Sequence, residues 1–130
     1  MPYENGGLLY GRMNPSWVSV HDLSDAGPDS SRSTSGVVLD NSYLEAYTRK
    51  CIERQLYVVG TWHSHALSGN CHPSPCDVRM MMLLQSFYPK EMRPVFCITS
   101  FGRGVLEYRF LNITESGVPE ELADVVFDLP

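Results

Sequence analysis

The stretch that most limits how this chain can fold is residues 56–77, LYVVGTWHSHALSGNCHPSPCD. Its first eight residues form a near-continuous apolar run, the mark of a strand covered on both faces. Its last four, Ser74-Pro75-Cys76-Asp77, have the form of a helix start. Ser74 fits the N-cap, Pro75 the first helical position and Asp77 the third, where a carboxylate favours the helix N-terminus. A buried strand must therefore run through a loop directly into a helix, and the rest of the chain has to pack around that unit. The same stretch holds three of the four histidines, His63, His65 and His72, and two of the four cysteines, Cys71 and Cys76.

The other segments suit an α+β partner for this unit. Residues 7–12 and 16–23 read as two strands joined by a Met-Asn-Pro turn. Residues 24–36 are polar and rich in turn formers, which predicts an exposed loop, and residues 37–40 a short strand. Residues 41–55 read as a helix, with a capping box from Ser42 to Glu45 and Leu44, Tyr47, Cys51 and Ile52 on one face. The helix over 75–88 is apolar almost all round, which predicts a central, buried position for its methionines. Residues 93–101 and 105–112 read as a hairpin across Gly102-Arg103-Gly104. Residues 113–130 are left as a peripheral segment, either a short docked helix or a loose tail. The sum is one domain over 1–130, with a mostly antiparallel sheet of about five or six strands sandwiched between helices.

Composition excludes several classes. At 130 residues the chain builds one core, not two. A net charge of −5 with no basic cluster leaves no footprint for nucleic acid. No apolar run approaches the roughly 20 residues of a membrane span, and the start has no signal-peptide pattern. Four cysteines are too sparse for a disulfide scaffold, so Cys51 and Cys97 read as core residues and the expected home is the cytoplasm.

The chemistry concentrates at His63, His65 and Asp77. Side chains two apart on a strand share a face, so the two imidazoles can converge on one ion. An aspartate returning on the next helix start supplies a third ligand. Two histidines and a carboxylate suit Zn²⁺, and three protein ligands leave a position for water, the catalytic arrangement. Such a site needs a base to take the proton of that water. Cys71, His72 and Cys76 stay open between a second metal site, extra ligands and plain loop residues, since a Cys-His-Cys trio lacks an obvious fourth ligand.

His63-Ser64-His65 followed by Ser74-Pro75-Cys76-Asp77 resembles the H-x-H…S-x-x-D signature of the JAMM (MPN-type) metalloprotease family. The family also carries a glutamate ahead of a strand, and Glu4-Asn5-Gly6-Gly7 is similar to that element. The order of elements agrees over roughly residues 3–110. The opening and the GTWHSH stretch most resemble the small bacterial branch associated with ubiquitin-like conjugation. The resemblance implies an α/β/α-type, cytidine-deaminase-like fold and a zinc isopeptidase or peptidase. Its substrate would be a ubiquitin-like protein or its conjugates, within a system that includes a ubiquitin-activating-like enzyme. It assigns His63, His65 and Asp77 to Zn²⁺, Glu4 to the general base and Ser74 to the oxyanion. Glu4 is fourth in the chain, so its placement depends on how the segment ahead of the first strand is tied down.

Rival readings fit less well. A zinc nucleobase deaminase needs H-x-E with P-C-x-x-C, and this chain has His-Ser-His with no second cysteine at that distance. A (β/α)₈ amidohydrolase needs about 200 residues or more. A non-catalytic MPN-type scaffold would typically lose the ligands that this chain keeps. Within the enzyme class, conjugate cleavage, precursor trimming and action on a sulfur-carrier adduct stay open.

Overall fold

A computed structural model of the chain describes residues 4–33, 36–65, 70–102, 105–122 and 125–129. Strands β1 (Gly6–Asn14) and β2 (Trp17–Leu23) form the first hairpin. Asn14 closes its turn by accepting from the backbone N–H groups of Ser16 and Trp17, at 2.7 and 3.0 Å. The segment predicted as an exposed loop is partly buried. Ser24, Ala26 and Gly27 are covered, and Ser31–Arg32 (β3) pairs with Val37–Val38 (β4) in a two-stranded ladder. The burial has a hydrogen-bonding cause: Ser24 accepts from the Leu8 N–H with its hydroxyl and from the Trp62 indole with its carbonyl.

Helix α1 spans Asn41–Glu53. Its cap is Asp40, not Ser42: the Asp40 carboxylate accepts from Tyr43 N at 3.1 Å and from Asp29 N at 3.0 Å. The helix ends two residues before Gln55, which takes a left-handed φ of 60°. Leu44 and Cys51 are buried as expected, but Ile52 is 47% exposed.

Strands β5 (Tyr57–His65) and β6 (Val95–Gly102) lie side by side, parallel, at the centre of the sheet. β7 (Val105–Ile113) pairs antiparallel with β6, as the predicted hairpin requires, although residues 103–104 of its turn fall outside the described residues. The described residues of the 113–130 segment form neither a helix nor a loose tail. Pro119–Glu121 (β8) and Val125–Phe127 (β9) add edge strands to β7 and β2, so one curled sheet of seven strands runs β8-β7-β6-β5-β1-β2-β9. β7 and β2 would otherwise present bare edges, and short terminal strands satisfy them. Asn112, which heads an Asn-Ile-Thr triplet, is 7% exposed within β7.

The register sorts the core by face. Leu8, Thr61, Phe96 and Leu111 are successive cross-strand partners and therefore share one side of the sheet. Helix α1 packs there through Cys51, with Leu56, onto Tyr10; helix α2 (Pro75–Gln85) packs there through Met81 onto Phe96, Ile98 and Leu111. Both helices thus occupy one face, where helices on both faces were expected. The opposite face, bearing Leu9, Val20, Val59, Val95 and Cys97, is closed instead by curling. Phe110 on β7 and Phe127 on β9 sit 5.4 Å apart although four strands separate them. Flat strands at about 4.8 Å spacing would hold them more than 20 Å apart. The curl leaves an apolar groove of about 490 Å³ lined by Trp62, Cys97, Tyr108, Phe110 and Phe127.

The expectation that fails most clearly is burial around α2. Only Met81 is fully covered, while Met80, Leu83 and Phe87 are 59%, 54% and 76% exposed. An apolar run sets no direction by itself, and a helix resting on one sheet face can bury one stripe only. Among the described residues, no helix is long and apolar enough to cross a membrane.

Candidate metal centre

The centre forms where β5 ends and α2 begins. β5 is held on both sides near its end, with His63 opposite Gly6 of β1 and Ile98 of β6. The alternation of the strand sends His63 and His65 to the helix-bearing face and Ser64 to the other. Ser64 is buried and ties the start of β1: its hydroxyl accepts from Asn5 N, and its own N–H donates to the Asn5 carbonyl, both at 2.9 Å.

Helix α2 supplies the third group. Ser74 is the N-cap, with Pro75 in the first turn and a full capping box. The Ser74 hydroxyl accepts from Asp77 N at 3.1 Å, and the Asp77 carboxylate accepts from Ser74 N at 2.8 Å. This cap aims Asp77 at the histidines. Asp77 Oδ2 lies 3.0 Å from His65 Nε2, Asp77 Oδ1 lies 3.2 Å from His63 Nε2, and the two Nε2 atoms are 3.1 Å apart.

These atoms fit a metal ion on two grounds. First, one ligand atom from each of the three residues can be chosen so that all lie within 4.8 Å of one another, close enough for a single ion to reach all three. Second, the donor chemistry calls for a cation. His65 Nδ1 is 3.1 Å from the Asn70 carbonyl and His65 Nε2 is 3.0 Å from the Asp77 carboxylate, and both partners can only accept. Without an ion both ring nitrogens are placed to donate; with a metal on Nε2, the Asn70 carbonyl would keep the proton on Nδ1. The hydrogen bond to Asp77 raises the proton affinity of His65 against the opposing effect of burial, with a smaller push from the charge of Glu4. Burial would push the Asp77 carboxyl up, but His63 and His65 together hold it well below the usual carboxylate range.

Of the residues singled out from sequence, His63, His65 and Asp77 form the one potential metal group found among the described residues. Ser74 lies beside them through the cap. Glu4 is half-buried and its backbone is tied down: its N–H donates to the Ser33 carbonyl at 2.7 Å, and the next residue is hooked to Ser64. Continuing the Gly6–His63 register by two residues brings Glu4 level with His65. The remaining three separate. Cys71 is a core residue 4% exposed among Met81, Phe96 and Ile98, Cys76 is exposed on the first turn of α2, and His72 pairs with Arg109. Sequence reasoning missed the Asn70 carbonyl, which no side-chain pattern signals. It also missed Ser100, opposite His65 on the same face, whose buried hydroxyl has no partner among the described residues.

No family model matches the chain, and no curated protein matches it. In fold it is similar to the solution structure of protein DSY2949 from Desulfitobacterium hafniense, a structural genomics target. The similarity has a TM-score of 0.69 at 20% identity and covers 100% of this chain and 82% of that one. At that identity the likeness establishes a shared α+β fold and nothing about activity.

Proposed function

We propose that the chain is a zinc-dependent isopeptidase or peptidase of the JAMM (MPN) type, hydrolysing the amide bond at the C-terminus of a ubiquitin-like protein. The carrying observation is the convergence of His63, His65 and Asp77 within 3.0–3.2 Å, with the Ser74 cap on the same carboxylate. The seven-stranded curled sheet and the order of elements support the MPN-type fold that goes with this reading, although both helices lie on one face of the sheet.

His63 and His65, through Nε2, and Asp77, through its carboxylate, would hold Zn²⁺. When bound, zinc supplies Lewis acidity toward the scissile carbonyl and lowers the pKa of water toward about 7. The protein groups do the rest. Glu4, level with His65 by extension of the strand register, would take the proton of the attacking water and return it to the leaving amine. The Ser74 hydroxyl already accepts from Asp77 N, so its own proton is free to be donated to the developing oxyanion. The Asn70 carbonyl holds His65 in the tautomer that this arrangement needs. The proposed setting is cytoplasmic, alongside a ubiquitin-activating-like enzyme. Retention of all five residues weighs against a purely structural scaffold.

Glu4→Gln separates metal binding from chemistry. The variant is expected to retain zinc and to lose cleavage of a ubiquitin-like fusion by about 10²-fold or more, since only the base is removed. Full activity in Glu4→Gln removes Glu4 from the mechanism.

A further inference from the structure

Strand β7 is covered along only part of its outer edge. β8 pairs with Leu111, Asn112 and Ile113, and Leu122 N donates to the Phe110 carbonyl at 2.8 Å. The chain then leaves β7, since three residues further on Val125 is paired with Val18 of β2. Backbone groups alternate sides along a strand, and the β6–β7 register runs without a bulge over this stretch. Phe110 turns its carbonyl outward, so Tyr108 and Leu106 turn their N–H and C=O groups outward too. Among the described residues no strand pairs with them there. An edge of this kind is a template for another strand.

The side chains along the open edge carry a pattern. Leu106 and Tyr108 are exposed on the groove face, and Glu107 stands between them on the helix-bearing face. Glu107 is exposed and forms no ion pair among the described residues. Its neighbour on the same face, Arg109, is engaged by Glu121 at 3.4 Å and by His72 at 3.1 Å. Glu107 is therefore the unmatched charge of this edge. A cavity of about 420 Å³ lies against it, lined by Cys71 and His72 of the loop and by residues 106–109 of β7, and gives room for a long side chain reaching Glu107. Glu107 shares a cross-strand row with Ser100 and His65, which puts β7 two strands from the candidate metal centre.

We propose that this edge docks an extended segment of a partner protein in which a lysine or arginine stands between two apolar residues. Added in either direction, the segment takes up the outward N–H and C=O groups of Leu106 and Tyr108. Its apolar side chains fall on the groove face beside Leu106 and Tyr108, and its basic one on the other face beside Glu107. A second copy of this chain suits the edge less. A two-fold pairing that uses both Leu106 and Tyr108 sets Glu107 against its own copy, and like charges directly opposed across strands destabilise. The docking site stands on the backbone edge and on Glu107, and does not depend on zinc.

The test titrates the full ¹⁵N-labelled chain with two end-capped synthetic peptides, Ser-Thr-Val-Lys-Val-Thr-Ser and the same sequence with glutamate in place of lysine. Wild type is expected to bind the lysine peptide about tenfold more tightly than the glutamate peptide, with the amide protons of Leu106 and Tyr108 moving downfield as ladder bonds form. Glu107→Lys is expected to reverse the preference. Tyr108→Pro removes an N–H that faces outward, which an edge strand tolerates, so this variant is expected to stay folded in thermal unfolding and to lose the lysine peptide. No binding of the lysine peptide by wild type, no preference between the peptides, or shifts confined to other residues overturns the proposal. So does a folded Tyr108→Pro that binds as tightly as wild type. Self-association of the peptide-free chain through the same two amides would put a second copy on the edge and overturns it as well. If Tyr108→Pro does not fold, the charge reversal and the amide shifts still decide.

Discussion

Ser74 carries a structural and a proposed chemical role on one hydroxyl, and two substitutions separate them. Its oxygen accepts from Asp77 N at 3.1 Å to cap α2, while the reciprocal bond, from Ser74 N to the Asp77 carboxylate at 2.8 Å, needs no serine side chain. Ser74→Ala therefore removes one cap acceptor and keeps the other half of the box, at a cost of about 1 kcal/mol. In a domain of this size that lowers the thermal midpoint by about 3–4 °C. Ser74→Gly costs only a few tenths of a kcal/mol, because glycine is a tolerable N-cap. Both variants lose the hydroxyl proton proposed to serve the oxyanion, an interaction whose removal slows a reaction by about 10²–10³. Thermal unfolding in the presence of chelator, paired with cleavage of a ubiquitin-like fusion, reads the two effects apart. The expected pattern is near-native stability with at least about 100-fold slower cleavage in Ser74→Gly. Wild-type cleavage by Ser74→Gly makes Ser74 a cap only, and an unshifted midpoint in Ser74→Ala denies the cap its weight.

Two further outcomes follow from burial and charge. Met81→Ala, in the stripe of α2 that faces Phe96 and Ile98, should cost about 2–4 kcal/mol in chemical denaturation, whereas Leu83→Ala on the exposed stripe should stay within about 0.5 kcal/mol; equal costs contradict the orientation of the helix. Asp22 accepts from Tyr47 Oη, Arg54 Nη1 and Leu23 N, and these bonds outweigh burial to hold its carboxyl below the usual 3.8. A depressed carboxyl stabilises the fold above that value and loses its contribution as pH falls through the folded-state value. Asp22→Asn should therefore lose about 1 kcal/mol at neutral pH and show a shallower fall in stability below pH 3.8, with an unchanged acid limb as the contrary result.

What the sequence makes legible here is local or periodic. The Ser74 cap, the shared face of His63 and His65 and both main hairpins follow from short-range rules, and they stand in the structure where the residues place them. The parts that are not legible depend on partners distant in the chain. Asp40 displaces Ser42 as the cap of α1 because it also serves Asp29 across the preceding loop. Ser24 is buried because Trp62, 38 residues away, donates to its carbonyl. Residues 119–121 and 125–127 become strands because the sheet has two open edges, not because their own pattern demands it. The exposure of Met80 and Leu83 has the same origin: hydrophobic content says that α2 packs, and only the sheet beneath it says on which side. Cys71, His72 and Cys76 stand together in the sequence yet point to the core, to Arg109 and to solvent, and no spacing rule separates those three fates.

The central claim is that His63, His65 and Asp77 hold zinc. Elemental analysis of the purified chain tests it directly, alongside Asp77→Ala and a far-surface control such as Glu45→Ala. The account predicts about one zinc ion per chain in wild type and in the control, and loss of that ion in Asp77→Ala. No zinc on wild type after reconstitution, or the same zinc content in Asp77→Ala, contradicts it.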